Sequence, residues 1–182
     1  MIMRQDLKKI LDRIDDNLTE PQTICLIGSA ASILMGQPDR GTEDIDVWSR
    51  ASLLKERILR SAVEAAGLLF DPSDDEPELP YVQIIHPGIV QVPGYDPETS
   101  RWLGQEAETV WAGHRLTVTT PPPAAIIASK MIRFEDRDIT DSIWLMTARD
   151  VDAKTIMRAI RQLPHDRREE AEANFTVLNY MK

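Results

Sequence analysis

The chain has 182 residues, 42% of them apolar, one cysteine, and a formal net charge of −9 at pH 7. That length supports one buried core, a single cysteine excludes a disulfide framework or a Cys-rich metal site within the chain, and the acidic excess argues against a broad electrostatic footprint for nucleic acid. The charged, amphipathic start is unlike a signal peptide and no apolar run approaches the roughly 18 residues that cross a bilayer, so the sequence predicts a cytoplasmic protein with no membrane partner.

Leu7, Ile10, Leu11, Ile14 and Leu18 recur at helical spacing over residues 3–18, which predicts an amphipathic helix docked on the core. After Pro21 an apolar run, residues 23–27, reads as a strand with Cys25 inside it. It ends on Gly28-Ser29, and an Ala-rich helix follows to about Gly36. Gly41 and Thr42 then turn the chain into a second strand carrying Asp44 and Asp46. Side chains on a strand alternate, so these two carboxylates share one face while Ile45 and Val47 point into the core. Such a pair repels itself, and a divalent cation such as Mg²⁺ or Mn²⁺ is the usual compensation. Gly28 permits close approach of a phosphate to the backbone, and Ser29 with the N–H groups opening the helix can donate to phosphate oxygens. The plainer alternative is a βαβ-like unit with Asp44 and Asp46 as solvated strand-end residues.

Gly28-Ser29 followed by Asp44-Ile45-Asp46 resembles the signature of the DNA polymerase beta-like nucleotidyltransferase superfamily. Arg40-Gly41-Thr42-Glu43 before it is similar to the form found in minimal bacterial, abortive-infection toxin-like members. The resemblance implies an α+β fold, a nucleotidyltransferase-like mixed sheet flanked by helices with a C-terminal helical region. It also implies Mg²⁺ or Mn²⁺ on Asp44 and Asp46, and an NTP bound near Gly28, Ser29, Arg40 and Thr42. A toxin-antitoxin or phage-defence setting, with a cognate antitoxin or toxin as partner, follows from the same likeness.

Residues 52–67 read as a second long helix with Leu53, Leu54, Ile58, Leu59, Ala62, Val63 and Ala66 buried, closed by Gly67, and residues 68–70 as a short strand. Residues 71–80, with three prolines and five acidic side chains, read as an exposed connection or a lid. Residues 81–85 and 89–92 read as strands joined by the turn at His86-Pro87-Gly88, and residues 109–111 and 115–119 as a hairpin through Ala112-Gly113-His114. Pro121-Pro122-Pro123 breaks the chain before a helix over residues 124–146. On that helix Lys130, Phe134, Arg137 and Asp141 fall on one line. This line is either a solvated, salt-bridged face or, by resemblance to the helix that faces the cleft in toxin-like nucleotidyltransferases, a source of phosphate-binding cations, with Lys130 catalytic and Arg137 nucleotide-binding. Two shorter helices, residues 152–163 and 165–178, complete a core of residues 1–120 and a helical region of residues 121–182, expected to form one compact unit.

Superfamily enzymes commonly add a third carboxylate from a neighbouring strand, and here the strands placed to supply it carry Gln83 and Gln91, with Asp96 nearby in a loop. Two functions therefore stand. One is metal-dependent transfer of a nucleoside monophosphate from an NTP to a hydroxyl on RNA or protein. The other is a weak or inactive relative that serves as a nucleotide-binding or protein-interaction module.

Overall fold

The apolar spacing at the start of the chain produces α1 (Arg4–Asn17), with Leu7, Ile10, Leu11 and Ile14 buried along one stripe. The computed structural model describes residues 1–73 and 79–181. Residues 74–78, the centre of the acidic connection or lid expected over 71–80, lie outside the described residues. Contacts divide the chain into two units, Met1–Pro87 with Glu108–Thr120, and Gly88–Ala107 with Pro121–Lys182. The break at Pro121 coincides with the proline run, while Gly88–Ala107 groups with the helical unit instead of the core.

In the first unit β1 (Gln22–Cys25) runs parallel to β8 (Leu116–Thr120), which pairs antiparallel with β7 (Glu108–Ala112). A second sheet has the order β2 (Asp44–Trp48), β4 (Tyr81–Ile85), β3 (Leu69–Phe70), and both of its pairings are parallel. The sheets meet where the chain continues past β1: Leu26 bridges Val47 in antiparallel sense, and the Ile27 N–H donates to the Asp46 carbonyl at 3.0 Å. In chain order α2 (Gly28–Met35) follows β1 and packs against β2, and α3 (Glu56–Ala65) packs against α1. Leu7, Leu11, Leu26, Ile33, Val47, Val63 and Val118 fill the core. This is the expected α+β class, with a mixed sheet flanked by helices.

One polar contact ties the first helix to the last strands. The Asp15 carboxylate accepts the backbone N–H groups of His114, Arg115 and Leu116 at 2.8, 2.7 and 2.5 Å. Burial works against the charged form, yet the three donors outweigh it, and the carboxyl lies below the ordinary aspartate range. The hairpin needs Gly113 there, since a Cβ at that position would stand 2.5 Å from the Asp15 carboxyl carbon.

Three sequence expectations are corrected. Residues 89–92 form no strand, and β4 instead finds parallel partners on both sides. The helix expected from Ser52 begins only at Glu56, because Ser52 Oγ donates to the Trp48 carbonyl at 2.7 Å and accepts the Cys25 N–H at 2.9 Å, holding the chain extended beside β1. Leu53, expected in the buried face, bridges Thr23 through its backbone and is 69% exposed.

The third correction lies in the helical unit, which holds the hairpin β5 (Tyr95–Asp96) and β6 (Arg101–Trp102) and the helices α4 (Pro123–Arg133), α5 (Asp136–Ala148), α6 (Ala153–Ile160) and α7 (His165–Met181). The helix expected over residues 124–146 is two helices. Phe134 turns left-handed at φ 54°, and Glu135 and Asp138 form a capping box that starts α5 afresh. Lys130 and Arg137 therefore do not share a single helical line. Among the described residues no helix is long and apolar enough to cross a membrane.

Candidate active site

The start of α2 and the face of β2 meet at Gly28 and Asp46. Gly28 has φ +66°, a region few side chains tolerate, and a Cβ there would lie 2.5 Å from Asp46 Oδ2. The backbone conformation favours glycine, and any side chain there would also push the Asp46 carboxylate aside. Asp44 and Asp46 alternate with the buried Ile45 and Val47, so both carboxylates stand half-exposed on one side of β2.

The loop before β2 adds two of the sequence-predicted residues. Arg40 Nη2 donates to Ser29 Oγ at 2.9 Å, joining the loop to the first turn of α2. Buried Thr42 places Oγ1 2.7 Å from Asp44 Oδ1 and 3.0 Å from the Asp44 carbonyl oxygen, where its one proton is shared. The Thr42 backbone is fixed by paired hydrogen bonds with Ile2, at 2.5 and 3.1 Å. Gly28, Ser29, Arg40, Thr42, Asp44 and Asp46 are thus gathered in one region of the first unit.

The neighbouring strand carries the expected Gln83 and adds Tyr81, which the sequence did not single out. Tyr81 is in register with Asp44, and Gln83 with Asp46. Burial raises the Tyr81 phenol above its usual pKa, as do the charges of Asp44, Asp46 and Glu43 and a hydrogen bond to Asp44. The signal for Tyr81 was its spacing of two from Gln83, which puts both on one strand face. Among the described residues no three His, Cys, Asp or Glu side chains are grouped to hold a metal ion. The donors at hand are two carboxylates with an amide from the next strand, all oxygen, and that chemistry fits a hard divalent cation such as Mg²⁺ or Mn²⁺.

The remaining predicted residues belong to the helical unit. Lys130 Nζ lies 3.1 Å from Asp138 Oδ1 and 2.8 Å from Asp141 Oδ2, with the lysine side chain 10% exposed and both carboxylates 1%. Arg133 adds two contacts to Asp138, at 2.8 and 2.9 Å. Burial penalises the Asp138 carboxylate, but Arg133 and Lys130 more than compensate and hold it below the usual range. Arg137 is exposed on α5. Gln91 precedes β5, and Asp96 accepts the Glu98 N–H at 3.0 Å and the Thr99 hydroxyl at 2.7 Å, an ordinary turn arrangement.

No curated protein and no solved structure matches the chain. The family described as nucleotidyltransferase of unknown function (DUF6036) matches residues 2–182. With a Gly-Ser turn at a helix start set against two same-face carboxylates, and that match spanning almost the whole sequence, the chain belongs to this nucleotidyltransferase family.

Proposed function

We propose that the protein moves a nucleoside monophosphate from an NTP to a hydroxyl on RNA or protein, with Asp44 and Asp46 holding Mg²⁺ or Mn²⁺. The observation that carries this reading is the packing of Asp46 Oδ2 against Gly28, because it sets a carboxylate beside the backbone where α2 begins. Gly28 and Ser29 would receive phosphate oxygens at that helix start, and Arg40, held on Ser29, supplies a cation beside them. When bound, the divalent ion would neutralise triphosphate charge and favour ionisation of the acceptor hydroxyl. In the transfer the acceptor oxygen bonds to the α-phosphorus as the bond to the bridging oxygen breaks; pyrophosphate leaves and the hydroxyl proton passes to solvent. The toxin-like form of residues 40–46 extends the proposal to a role beside a cognate toxin or antitoxin protein.

Gln83, in register with Asp46, favours a second reading. An amide there adds a weak ligand and no charge, as suits a protein that binds nucleotide without turning it over. Transfer of label from α-labelled NTPs to RNA and protein acceptors tests both readings. The proposal expects Mn²⁺- or Mg²⁺-dependent transfer that is lost when Asp44 and Asp46 are both replaced by asparagine in a folded variant. Metal-dependent nucleotide binding with no transfer would establish the second reading in its place.

A further inference from the structure

Asp44 accepts a hydroxyl from the preceding loop and faces a second one in register on the adjacent strand. Thr42 Oγ1 reaches its Oδ1 at 2.7 Å from the preceding loop, and the backbone of Thr42 is itself locked to Ile2 on both its N–H and its carbonyl. From the adjacent strand, Tyr81 is the register partner of Asp44, and its phenol is near enough for burial and the Asp44 charge to raise its pKa. Thr42 and Tyr81 both sit on backbone that cannot easily follow the carboxylate if it turns.

We propose that Thr42 and Tyr81 are positioning residues that fix the Asp44 carboxylate for its divalent cation, and that neither acts by touching the nucleotide. The inference rests on the metal role given to Asp44 under the proposed function. Two like charges on one strand face would otherwise rotate apart, and drawing them together would be charged against metal binding. Hydroxyl donors from fixed backbone keep one carboxylate oriented in advance, as outer hydrogen-bond partners do at metal sites, where their loss weakens metal affinity by about ten- to a hundred-fold. Thr42 is buried, which suits a residue that acts through Asp44 and not on a ligand from solvent.

The test is Mn²⁺ binding to the full chain, followed by electron paramagnetic resonance, for Tyr81→Phe, Thr42→Val and Thr42→Ser. Nucleotide binding without divalent ion is measured alongside. Tyr81→Phe and Thr42→Val should each weaken Mn²⁺ about ten-fold or more, while Thr42→Ser, which keeps the hydroxyl, stays within a few-fold of the parent and Tyr180→Phe, on an exposed tyrosine, changes nothing. Metal-free nucleotide binding should be the same in all of them. If Thr42→Val fails to fold, Tyr81→Phe and Thr42→Ser still decide the matter. Unchanged Mn²⁺ affinity in Tyr81→Phe and Thr42→Val, in a protein whose Mn²⁺ binding is abolished by the double asparagine substitution at 44 and 46, overturns this inference alone. A loss confined to metal-free nucleotide binding overturns it too, because the hydroxyls would then be nucleotide contacts. Mn²⁺ binding that survives the double substitution removes the metal assignment itself.

Discussion

Asp46 Oδ2 fills the space in which a side chain at position 28 would begin, 2.5 Å from where the Cβ would stand. Gly28→Ala should therefore cost about 1–2 kcal/mol for the left-handed backbone alone, and more for the displaced carboxylate. Removing that carboxylate should relieve part of the cost. In a double-mutant cycle read by urea denaturation, Gly28→Ala combined with Asp46→Ala is expected to lose less stability than the two single changes together. Strict additivity would show that the two residues do not press on one another.

Gln83 borders Asp46 on the next strand, so Gln83→Glu places a third carboxylate beside the pair. Without divalent ion the variant should be destabilised by up to about 1 kcal/mol, the scale of cross-strand charge pairs. With Mn²⁺ the order should reverse, the melting temperature rising further in the variant than in the parent. Melting curves with and without Mn²⁺ check this, and a variant that gains nothing from the ion would show that position 83 does not serve the site.

Lys130→Ala leaves the buried carboxylates of Asp138 and Asp141 without their shared cation. The expected loss is about 3–5 kcal/mol of stability, whereas Lys154→Ala, on an exposed residue of α6, should do little. The phosphate-binding role implied by resemblance makes a different demand: nucleotide affinity falling sharply at unchanged stability. Denaturation and nucleotide titration on the same sample separate the two.

Asp15 and Asp138 both have folded pKa values below the ordinary 3.8. For depressed carboxyls the stabilisation is complete above the unfolded value and is lost as pH falls through the folded one. Stability should thus hold near neutrality and decline below about pH 4. Asp15→Ala, which strands three N–H donors, should cost about 2–3 kcal/mol at pH 7 and distinctly less at pH 2.5. Urea titrations at the two pH values provide the comparison; an equal cost at both would mean that the carboxylate charge is immaterial.

Local pattern carried much of this structure. Alternation placed Asp44 and Asp46 on one face, helical spacing placed the stripe of α1, and the proline run marked the return to helix at Pro123. What failed depended on distant partners. Residues 89–92 look as strand-like as residues 81–85, yet only the latter lie between β2 and β3, and no local rule reveals which apolar run gains neighbours. Leu53 fits the helical stripe but is drawn into a backbone bridge with Thr23. The capping box at Glu135 and Asp138 was legible in principle, and periodicity through Phe134 masked it. Tyr81 shares a strand face with Gln83 by its spacing of two, but its place opposite Asp44 comes from a register that only the folded sheet defines.

The pairing of β1 with β8 has a consequence for how the chain is made. Thr119 hydrogen-bonds Ile24 across 95 positions, and Leu116 reaches Asp15 across 101. During synthesis the strand that leads to Gly28 emerges with one edge bare and waits for most of the first unit, and part of the second, to follow. Such late closure slows folding and leaves an apolar strand open to other chains in the meantime. Truncations ending before residue 116 should therefore aggregate instead of yielding a small soluble core, even though they contain Gly28, Ser29, Asp44 and Asp46.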